Sequence, residues 1–207
     1  MKYKEPLKEN VFARFDDDTA WALGLITADG SYNISRPNEL TLYNTDYELI
    51  EKFRKIFNTN KKIYEHKTNR IGNKKVWRLN LSSEQMMKDL KALNAYGNKE
   101  ERNPFPLVPD IFKWAFIKGL YDGDGNFYKG TTSIAGKKDI IKFVYYWICQ
   151  QIDKKPNKIY QSSNSNGTFY FQISKNDSKL VWNELLKDCA VVYDSKKVKK
   201  VIDYFRD

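Results

Sequence analysis

The sequence contains one motif twice, as TAWALGLITADGSYN at residues 19–33 and as FKWAFIKGLYDGDGNFY at residues 112–128. Aligned on their last glycines, the copies share a glycine, a leucine and a final Asp-Gly pair at matching places. Gly24 and Gly119 are equivalent in this alignment and lie 95 residues apart, about half of the 207-residue chain. One repeat at this distance indicates two copies of a single structural unit rather than an array of short repeats.

Each copy is predicted to form a short apolar helix with small residues four positions apart. These pairs are Gly24 with Ala28 and Gly119 with Gly123. Residues four apart lie on the same helix face, so the pairs remove side-chain bulk from one face of each helix. The two helices can therefore approach more closely than the usual axis separation of about 8–10 Å. The simplest partner for each small face is the other copy.

An aspartate and a glycine end each copy, Asp29-Gly30 and Asp124-Gly125. The glycines are expected to stop the helices in the left-handed conformation. An aspartate at a helix C-terminus is electrostatically unfavourable, because that end already carries partial negative charge. Two such ends side by side require a cation between them, and Mg²⁺ binds carboxylates together with waters and substrate phosphates. Paired metals promote phosphodiester displacement, so two matching copies favour a phosphodiesterase site over two ordinary water-exposed helix ends.

The same order of hairpins and helices follows each copy. The first half is predicted to form a hairpin of residues 32–35 and 39–44 around a turn at 36–38, a helix over 49–57, a hairpin of 61–67 and 75–81, and a helix from 82 or 83 to 93. The second half is predicted to form strands at 126–129 and 131–135, a helix over 138–152, strands at 158–162 and 168–174, and helices over 177–186 and 195–205. This order predicts an α+β protein with two antiparallel sheets. The join falls in the turn-rich stretch 97–109 and divides the chain into residues 1–103 and 104–207.

The composition restricts the chemistry available to the chain. Lys and Arg number 36 against 26 Asp and Glu, a net charge of +10 that favours a polyanionic partner, nucleic acid before an anionic membrane. A basic protein with no such partner is the alternative. No stretch approaches the roughly 20 apolar residues that cross a bilayer. One histidine, His66, makes a His-based zinc site or a Ser-His-Asp triad hard to build, and Cys149 and Cys189 are interpreted as small buried hydrophobes in a reducing compartment.

The stretches ALGLITADG (residues 22–30) and IKGLYDGDG (residues 117–125) resemble the motif of the LAGLIDADG homing endonucleases. The resemblance covers nearly the whole chain. It implies a monomer of two pseudo-twofold-related αββαββα units, with the motif helices at the central interface and the antiparallel sheets forming a DNA-binding saddle. It also implies a site-specific double-strand break in a long, non-palindromic DNA target, made by Mg²⁺-dependent hydrolysis in an intracellular location at the DNA.

The resemblance also assigns candidate site residues. Asp29 and Asp124 would bind the metals, and the further candidates for the catalytic site are Asn44, Asn80, Gln172 and Lys175. The halves are not equal in these positions. Gly136 stands where the first half has Asn44, and Thr27 stands where the second half has Asp122. We therefore expect two unequal metal sites.

DNA contact is expected from the outer faces of the sheets. The candidates are Arg36, Lys61, Lys62, Lys67, Arg70, Lys75, Arg78, Lys129 and Lys158. In residues 75–81 the alternation places Trp77, Leu79 and Leu81 inward and Val76, Arg78 and Asn80 outward. The C-terminal run of Lys196, Lys197, Lys199 and Lys200 is either a solvated helix face or a peripheral phosphate contact.

Two other functions remain open at the level of sequence. The same scaffold could be catalytically silent, as in LAGLIDADG-like transcription regulators, or serve as an intron-splicing maturase. The motif helices could also be packing helices only, in an unrelated basic α+β binding module. The presence of both Asp29 and Asp124 favours the active endonuclease.

Overall fold

The computed structural model describes residues 7–33, 35–67, 75–97, 105–163, 167–187 and 195–206. The first half contains α1 (Asp17–Asp29), β1 (Gly30–Asn33), β2 (Arg36–Asn44), α2 (Tyr47–Ile56), β3 (Tyr64–His66), β4 (Val76–Ser82) and α3 (Glu84–Ala92). The second half contains α4 (Lys113–Asp124), β5 (Gly125–Tyr128), β6 (Thr131–Gly136), α5 (Lys138–Gln151), β7 (Tyr160–Gln161), β8 (Phe169–Ile173), α6 (Lys175–Lys187) and α7 (Lys196–Arg206). The predicted αββαββα repeat is confirmed, with α7 added at the end.

The eight strands form two antiparallel sheets of the same topology, β1-β2-β4-β3 and β5-β6-β8-β7. The predicted turn at residues 36–38 is wrong, because these residues belong to β2. The pairing of β1 and β2 shifts between Tyr32 and Asn33, so the start of β2 carries extra residues that absorb Pro37 before pairing with β4 begins at Glu39. Residues 68–74, which connect the two strands of the predicted second hairpin, lie outside the described residues, as does most of the join.

Polar side chains cap the starts of α1, α2, α3 and α7, and at α7 Ser195 Oγ accepts from the backbone N–H of Val198 at 3.3 Å. Asp16 and Thr19 form a reciprocal capping box at the start of α1. The Asp46 side chain accepts from the backbone N–H of Glu48 at α2, and Ser83 accepts from that of Met86 at α3. These caps fix where the helices begin, so the sequence already indicates these corners of the fold.

The motif helices α1 and α4 pack directly on each other, as the small-residue pairs predict. A Cβ atom on Gly24 would lie 2.0 Å from the carbonyl oxygen of Phe116. A Cβ on Gly119 would lie 2.0 Å from the carbonyl oxygen of Trp21. The two reciprocal contacts leave no space for a side chain at either glycine. The pseudo-twofold relation of the halves therefore passes through this crossing.

The glycines that end the motif helices do not adopt the left-handed conformation. Gly30 has φ −71° and ψ 135°, and Gly125 has φ −80° and ψ 156°, so both are extended and begin a strand. The expectation of left-handed caps is wrong, because the chain turns from helix into strand without a loop. Glycine is needed here for space, since a Cβ on Gly30 would lie 2.3 Å from the carbonyl oxygen of Ile26. Each motif aspartate therefore sits at the corner between a helix and the first strand of a sheet.

None of the helices that the structure describes is long and apolar enough to span a membrane. Cys149 is buried and forms no disulfide, as the sequence predicts, and Cys189 lies outside the described residues.

Candidate active site at the ends of the motif helices

Asp29 and Asp124 are brought to the same end of the helix pair. The helices run parallel, because Trp21 lies against Gly119 while Ala28 lies against Gly123. A Cβ on Gly123 would lie 2.4 Å from Ala28 Cβ and 3.2 Å from Asp29 Oδ2. The carboxylate of Asp29 thus lies over the residue that precedes Asp124. Asp29 is half-buried and Asp124 is exposed, so the negative ends of both helices and both acids meet at one accessible junction.

Asn44 lies beside Asp29, as predicted for a residue at the end of the second strand. Its Nδ2 donates to Asp29 Oδ2 at 2.7 Å, and its Oδ1 accepts from the backbone N–H of Asp46 at 2.8 Å. Both the nitrogen and the oxygen of the Asn44 amide therefore form hydrogen bonds, and the amide in turn fixes the orientation of the Asp29 carboxylate. The register makes Gly136 equivalent, since Leu42 opposes Gly30 and Ile134 opposes Gly125. The second half offers no side chain at this place.

Asn80 and Gln172 occupy equivalent places in the last long strand of each sheet. Asn80 pairs with Thr41, which pairs with Ser31, and Gln172 pairs with Ser133 in the same row as Asn126. Each lies two strand spacings from the strand that follows the acid, about 10 Å. Asn80 and Gln172 therefore face the outer side of the sheets near the junction rather than contacting the acids.

Lys175 is not brought to the acids. It starts α6 beside the β5–β6 turn, where a Cβ on Gly130 would lie 3.0 Å from Lys175 Cγ. The junction lies at the opposite end of β5, five residues or about 16 Å along the strand. Lys175 follows the end of β8 on the side away from Asp124, and its role as a site residue stays a prediction.

A lysine does reach the junction, but it comes from α7. Lys197 Nζ donates to the carbonyl oxygen of Gly123 at 2.6 Å and lies 3.3 Å from that of Tyr121. It thereby caps the carbonyls at the end of α4 with a positive charge. Lys197 was not among the residues predicted for the site, because it lies in a run of C-terminal lysines that were considered together. A signal was present, because Lys197, Val198 and Val201 share the spacing of a buried helix stripe and both valines are buried.

Charge and burial act against each other at Lys197. Burial lowers the pKa of the Lys197 ammonium below that of a free lysine. Four nearby carboxylates raise this pKa by favouring the charged form, and they are Asp29, Asp122, Asp124 and Asp46. The ammonium therefore interacts electrostatically with both motif acids and with acidic residues of both halves.

Asp122 is a buried structural carboxylate, with 2% of its surface exposed. It accepts from Trp21 Nε1 at 2.8 Å, from Lys118 Nζ at 2.8 and 2.9 Å, and from Ser195 Oγ at 3.1 Å. The contact with Trp21 joins α1 to α4, and the contact with Ser195 holds the start of α7. Asp122 thus stabilises the junction from beneath.

The symmetry-related places hold Leu23 and Thr27 of the first copy and Phe116 of the second. Thr27 Oγ1 bonds its own helix, donating to the carbonyl oxygen of Leu23 at 2.8 Å. The difference between Thr27 and Asp122 in the motif is therefore a difference between an apolar and a polar helix interface. It does not alter the acids at the surface.

The junction suits a hard cation with an incomplete protein shell. No group of three or more His, Cys, Asp or Glu side chains that could hold a metal occurs in the described ranges. Mg²⁺ commonly uses one or two carboxylates and takes its other ligands from water and phosphate. Asp29 and Asp124 fit that requirement, with main-chain carbonyls of α4 beside them.

Residues 16–93 match the LAGLIDADG-like domain family. This match lies entirely within the first half of the chain. The whole chain shares its fold with homing-endonuclease structures. I-DmoI in complex with DNA and Ca has a TM-score of 0.61 at 19% identity, covering 92% of this chain and 99% of that one. I-SmaMI bound to an uncleaved DNA target with calcium ions has a TM-score of 0.59 at 13% identity, covering 93% and 90%. No curated protein matches the sequence.

The outer face of the first half forms a polar groove of about 640 Å³. Its lining includes Ser31, Arg36, Thr41, Tyr43, Arg78 and Asn80. Two buried polar atoms in this groove have no hydrogen-bond partner among the described residues, Arg78 Nε and Asn80 Oδ1. Buried polar atoms are normally paired, so a donor and an acceptor here are available to a ligand.

The predicted alternation in β4 holds with one exception. Leu79 and Leu81 are buried inward, Trp77 is half-buried, and Arg78 and Asn80 line the outer groove. Val76, predicted to face outward, is buried; its cross-strand neighbour is His66, whose ring packs on Tyr43.

The other residues predicted to contact DNA differ in exposure and in their distance from the groove. Arg36, Lys62, Lys67, Lys129 and Lys158 are exposed, and Lys61 is half-buried. Lys75 pairs with Glu65 at 3.2 Å and lies with Trp77 beside the start of α2, away from the groove. Arg70 lies outside the described residues. In the second half, Tyr160 stacks on Tyr170 on the face that carries Gln172, so the two outer faces differ in chemistry.

Proposed function

We propose that this chain is a site-specific endonuclease that makes a double-strand break in a long, non-palindromic duplex by Mg²⁺-dependent phosphodiester hydrolysis. One observation carries the proposal. The parallel motif helices bring Asp29 and Asp124 to one junction between two four-stranded sheets. Proteins of the same fold, I-DmoI and I-SmaMI, have structures bound to DNA with calcium, which supports a duplex as the substrate.

Asp29 and Asp124 would hold the metal ions. A bound Mg²⁺ supplies an activated water and neutralises the charge that develops on the phosphodiester oxygens. The carboxylate of Asp29 is oriented for this role by the Asn44 amide. Asp124 is exposed at the end of α4, where substrate can reach it directly.

The sheet faces would hold and read the DNA. Arg78 and Asn80 present an unpartnered donor and acceptor in the groove, and Gln172 is exposed at the equivalent place in the second sheet. Arg, Asn and Gln are the side chains that best read base edges in the major groove. Exposed lysines at the rims, such as Lys62 and Lys129, would contact phosphates and set the position along the duplex.

The halves would act on unlike half-sites as one monomer. The first sheet offers Arg78 and Tyr64, whereas the second offers Tyr170 and Tyr160. Unlike outer faces read unlike sequences, so the target would lack inverted symmetry. Such a protein would act inside the cell, at the DNA.

A cleavage selection tests this function. The purified chain is incubated with Mg²⁺ and a randomised duplex library, and the newly formed ends are sequenced, with EDTA as the control. We expect one family of cut sites that depends on the metal. Sequence-specific binding without cuts would replace the enzyme with a DNA-binding regulator, and structure-specific RNA binding would favour a splicing maturase.

A further inference from the structure

A positive charge already occupies the junction where the motif acids meet. Lys197 Nζ lies 2.6 Å from the carbonyl oxygen of Gly123, the residue directly before Asp124. The partial negative charge at the end of α4 and the Asp124 carboxylate both favour a cation here. A divalent ion at Asp124 and this ammonium would therefore repel each other at close range.

The position of Lys197 is built into the fold. Ser195 Oγ donates to the buried Asp122, and the backbone N–H of Lys196 lies 3.3 Å from Asp46 Oδ2 in the other half. Val198 is buried one residue further along α7. The start of α7 is thus bonded to both halves. Lys197 therefore reaches the junction from a helix that is packed against the rest of the protein.

The two halves differ in the side chains near their motif acids. Asn44 orients Asp29 with a neutral amide, whereas the equivalent residue of the second half is Gly136, which has no side chain. Lys197 brings a charged group to the second half, at the carbonyl oxygen of Gly123. The two acids therefore have partners of different electrostatic effect on an incoming metal ion.

We propose that Lys197 is a resident cation that competes with the divalent metal at Asp124 in the free protein and yields its place when duplex phosphate arrives. The inference rests on the proposed function. Lysine suits this role, because its ammonium is a compact charge on a flexible stem and can exchange one set of acceptors for another. Phosphate oxygens accept stronger, charge-assisted hydrogen bonds than the carbonyl of Gly123 does. Lys197 is in this sense a positioning residue that makes metal binding depend on DNA.

The first test measures Mn²⁺ binding to the full chain without DNA, by electron paramagnetic resonance of the free ion. We expect Lys197→Met to bind Mn²⁺ about tenfold more tightly than the natural chain, because a nearby like charge is removed. Lys197→Gln retains a donor to the carbonyl of Gly123 and should show the same gain, which separates charge from packing. Lys199→Met is the matched control, since Lys199 is exposed on the same helix, and its Mn²⁺ affinity should stay within about twofold of the natural chain's.

The second test adds a duplex recovered from the cleavage selection. DNA should tighten Mn²⁺ binding by about tenfold more in the natural chain than in Lys197→Met, because linkage makes the coupling reciprocal. Circular dichroism melts confirm that each variant is folded. Lys197→Met and Lys197→Gln binding Mn²⁺ no more tightly than the natural chain would overturn the inference, even if the chain cuts DNA. Absence of both Mn²⁺ binding and DNA cleavage in every form would instead overturn the proposed function.

Discussion

At the scale of single residues, the two motif aspartates differ in their neighbours. Asn44 fixes the carboxylate of Asp29 through a 2.7 Å hydrogen bond, while Lys197 reaches the carbonyl before Asp124. Side chains that orient a metal ligand contribute to metal affinity and rate although they do not touch the metal. The residues around each aspartate are therefore expected to set its metal affinity and its contribution to the rate.

Replacing Asn44 with alanine should slow cleavage of one strand by about 10- to 100-fold, because Asp29 loses the amide that orients it. The measurement is single-turnover cleavage of a duplex with each strand labelled separately. Asn38→Ala is the control, an exposed asparagine in the same strand. Equal and unchanged rates on both strands in Asn44→Ala would contradict the role.

The position of a site residue could be predicted from the sequence only where the neighbouring strands and helices determine it. Asn44 ends β2, the second strand of the hairpin that follows the motif, and this strand returns to the start of β1, so its place beside Asp29 is predictable from the sequence. Lys197 contacts a residue 74 positions away, and that contact depends on how α7 docks. Lys175 was assigned from nearness in sequence, but the end of β8 carries it away from the junction.

At the scale of elements, the crossing of α1 and α4 holds the halves together. Gly24→Ala should destabilise the protein by at least about 2 kcal/mol, because the added methyl group overlaps the backbone of α4. In an open helix position the same change stabilises by up to about 1 kcal/mol, so the sign of the effect is diagnostic. Urea unfolding measures it.

Gly136→Ala is the matched control for the helix crossing. The nearest atoms to a Cβ there belong to Ile141, at 3.4 and 3.5 Å, which is ordinary contact. The change in the free energy of unfolding should stay within about 0.5 kcal/mol. A loss of stability as large as that of Gly24→Ala would show that the crossing is not specially tight.

The buried polar set beneath the junction gives a second prediction for the elements. Asp122→Thr should cost about 3 kcal/mol, because it removes the carboxylate from beside the buried Lys118 ammonium. Adding Lys118→Leu recreates the pair Leu23 and Thr27 of the first copy and should recover more than half of the loss. Urea unfolding of the two variants decides this, and a double variant less stable than Asp122→Thr would contradict it.

The order of elements was predictable, because a motif repeated once and two matching sets of hairpins and helices leave few arrangements. The connections between these elements were less predictable. Pro37 suggested a turn but lies in β2, where a shift in pairing absorbs it. Gly30 suggested a left-handed cap but enters β1 directly. A proline or glycine in the sequence indicates that the regular backbone is interrupted. The pairing of strands in the folded protein then decides whether the interruption is a turn, a shift in register or a direct change from helix to strand.

At the scale of the whole molecule, the two sheets share one topology, but the halves differ in chemistry. Both sheets have the same strand order, yet the unlike residues Asn44 and Gly136 stand at equivalent places. The sequence predicted this inequality from its own departures between copies. It could not place α7, because α7 has no equivalent among the described elements of the first half.

The inequality predicts two properties of the reaction. The cut sites selected from a library should lack inverted repeats, because the two outer faces carry different side chains. The two strands should also be cut at different rates, because Asn44 orients Asp29 while Gly136 stands at the equivalent place in the second half. Sequencing of selected sites and strand-resolved kinetics measure these properties. A palindromic consensus would count against the first, and equal nicking rates against the second.

The central claim is that Asp29 and Asp124 form one metal-dependent cutting site at the junction of the halves. The most direct test compares Asp29→Asn and Asp124→Asn with the natural chain on a selected duplex in Mg²⁺, with Asp203→Asn, an exposed acid on α7, as control. Each motif variant should lose double-strand cleavage by at least about 1,000-fold, as loss of a group that acts directly in the chemistry does, while still binding the duplex. Asp203→Asn should cut like the natural chain. Double-strand cleavage at the natural rate by either motif variant would contradict the account.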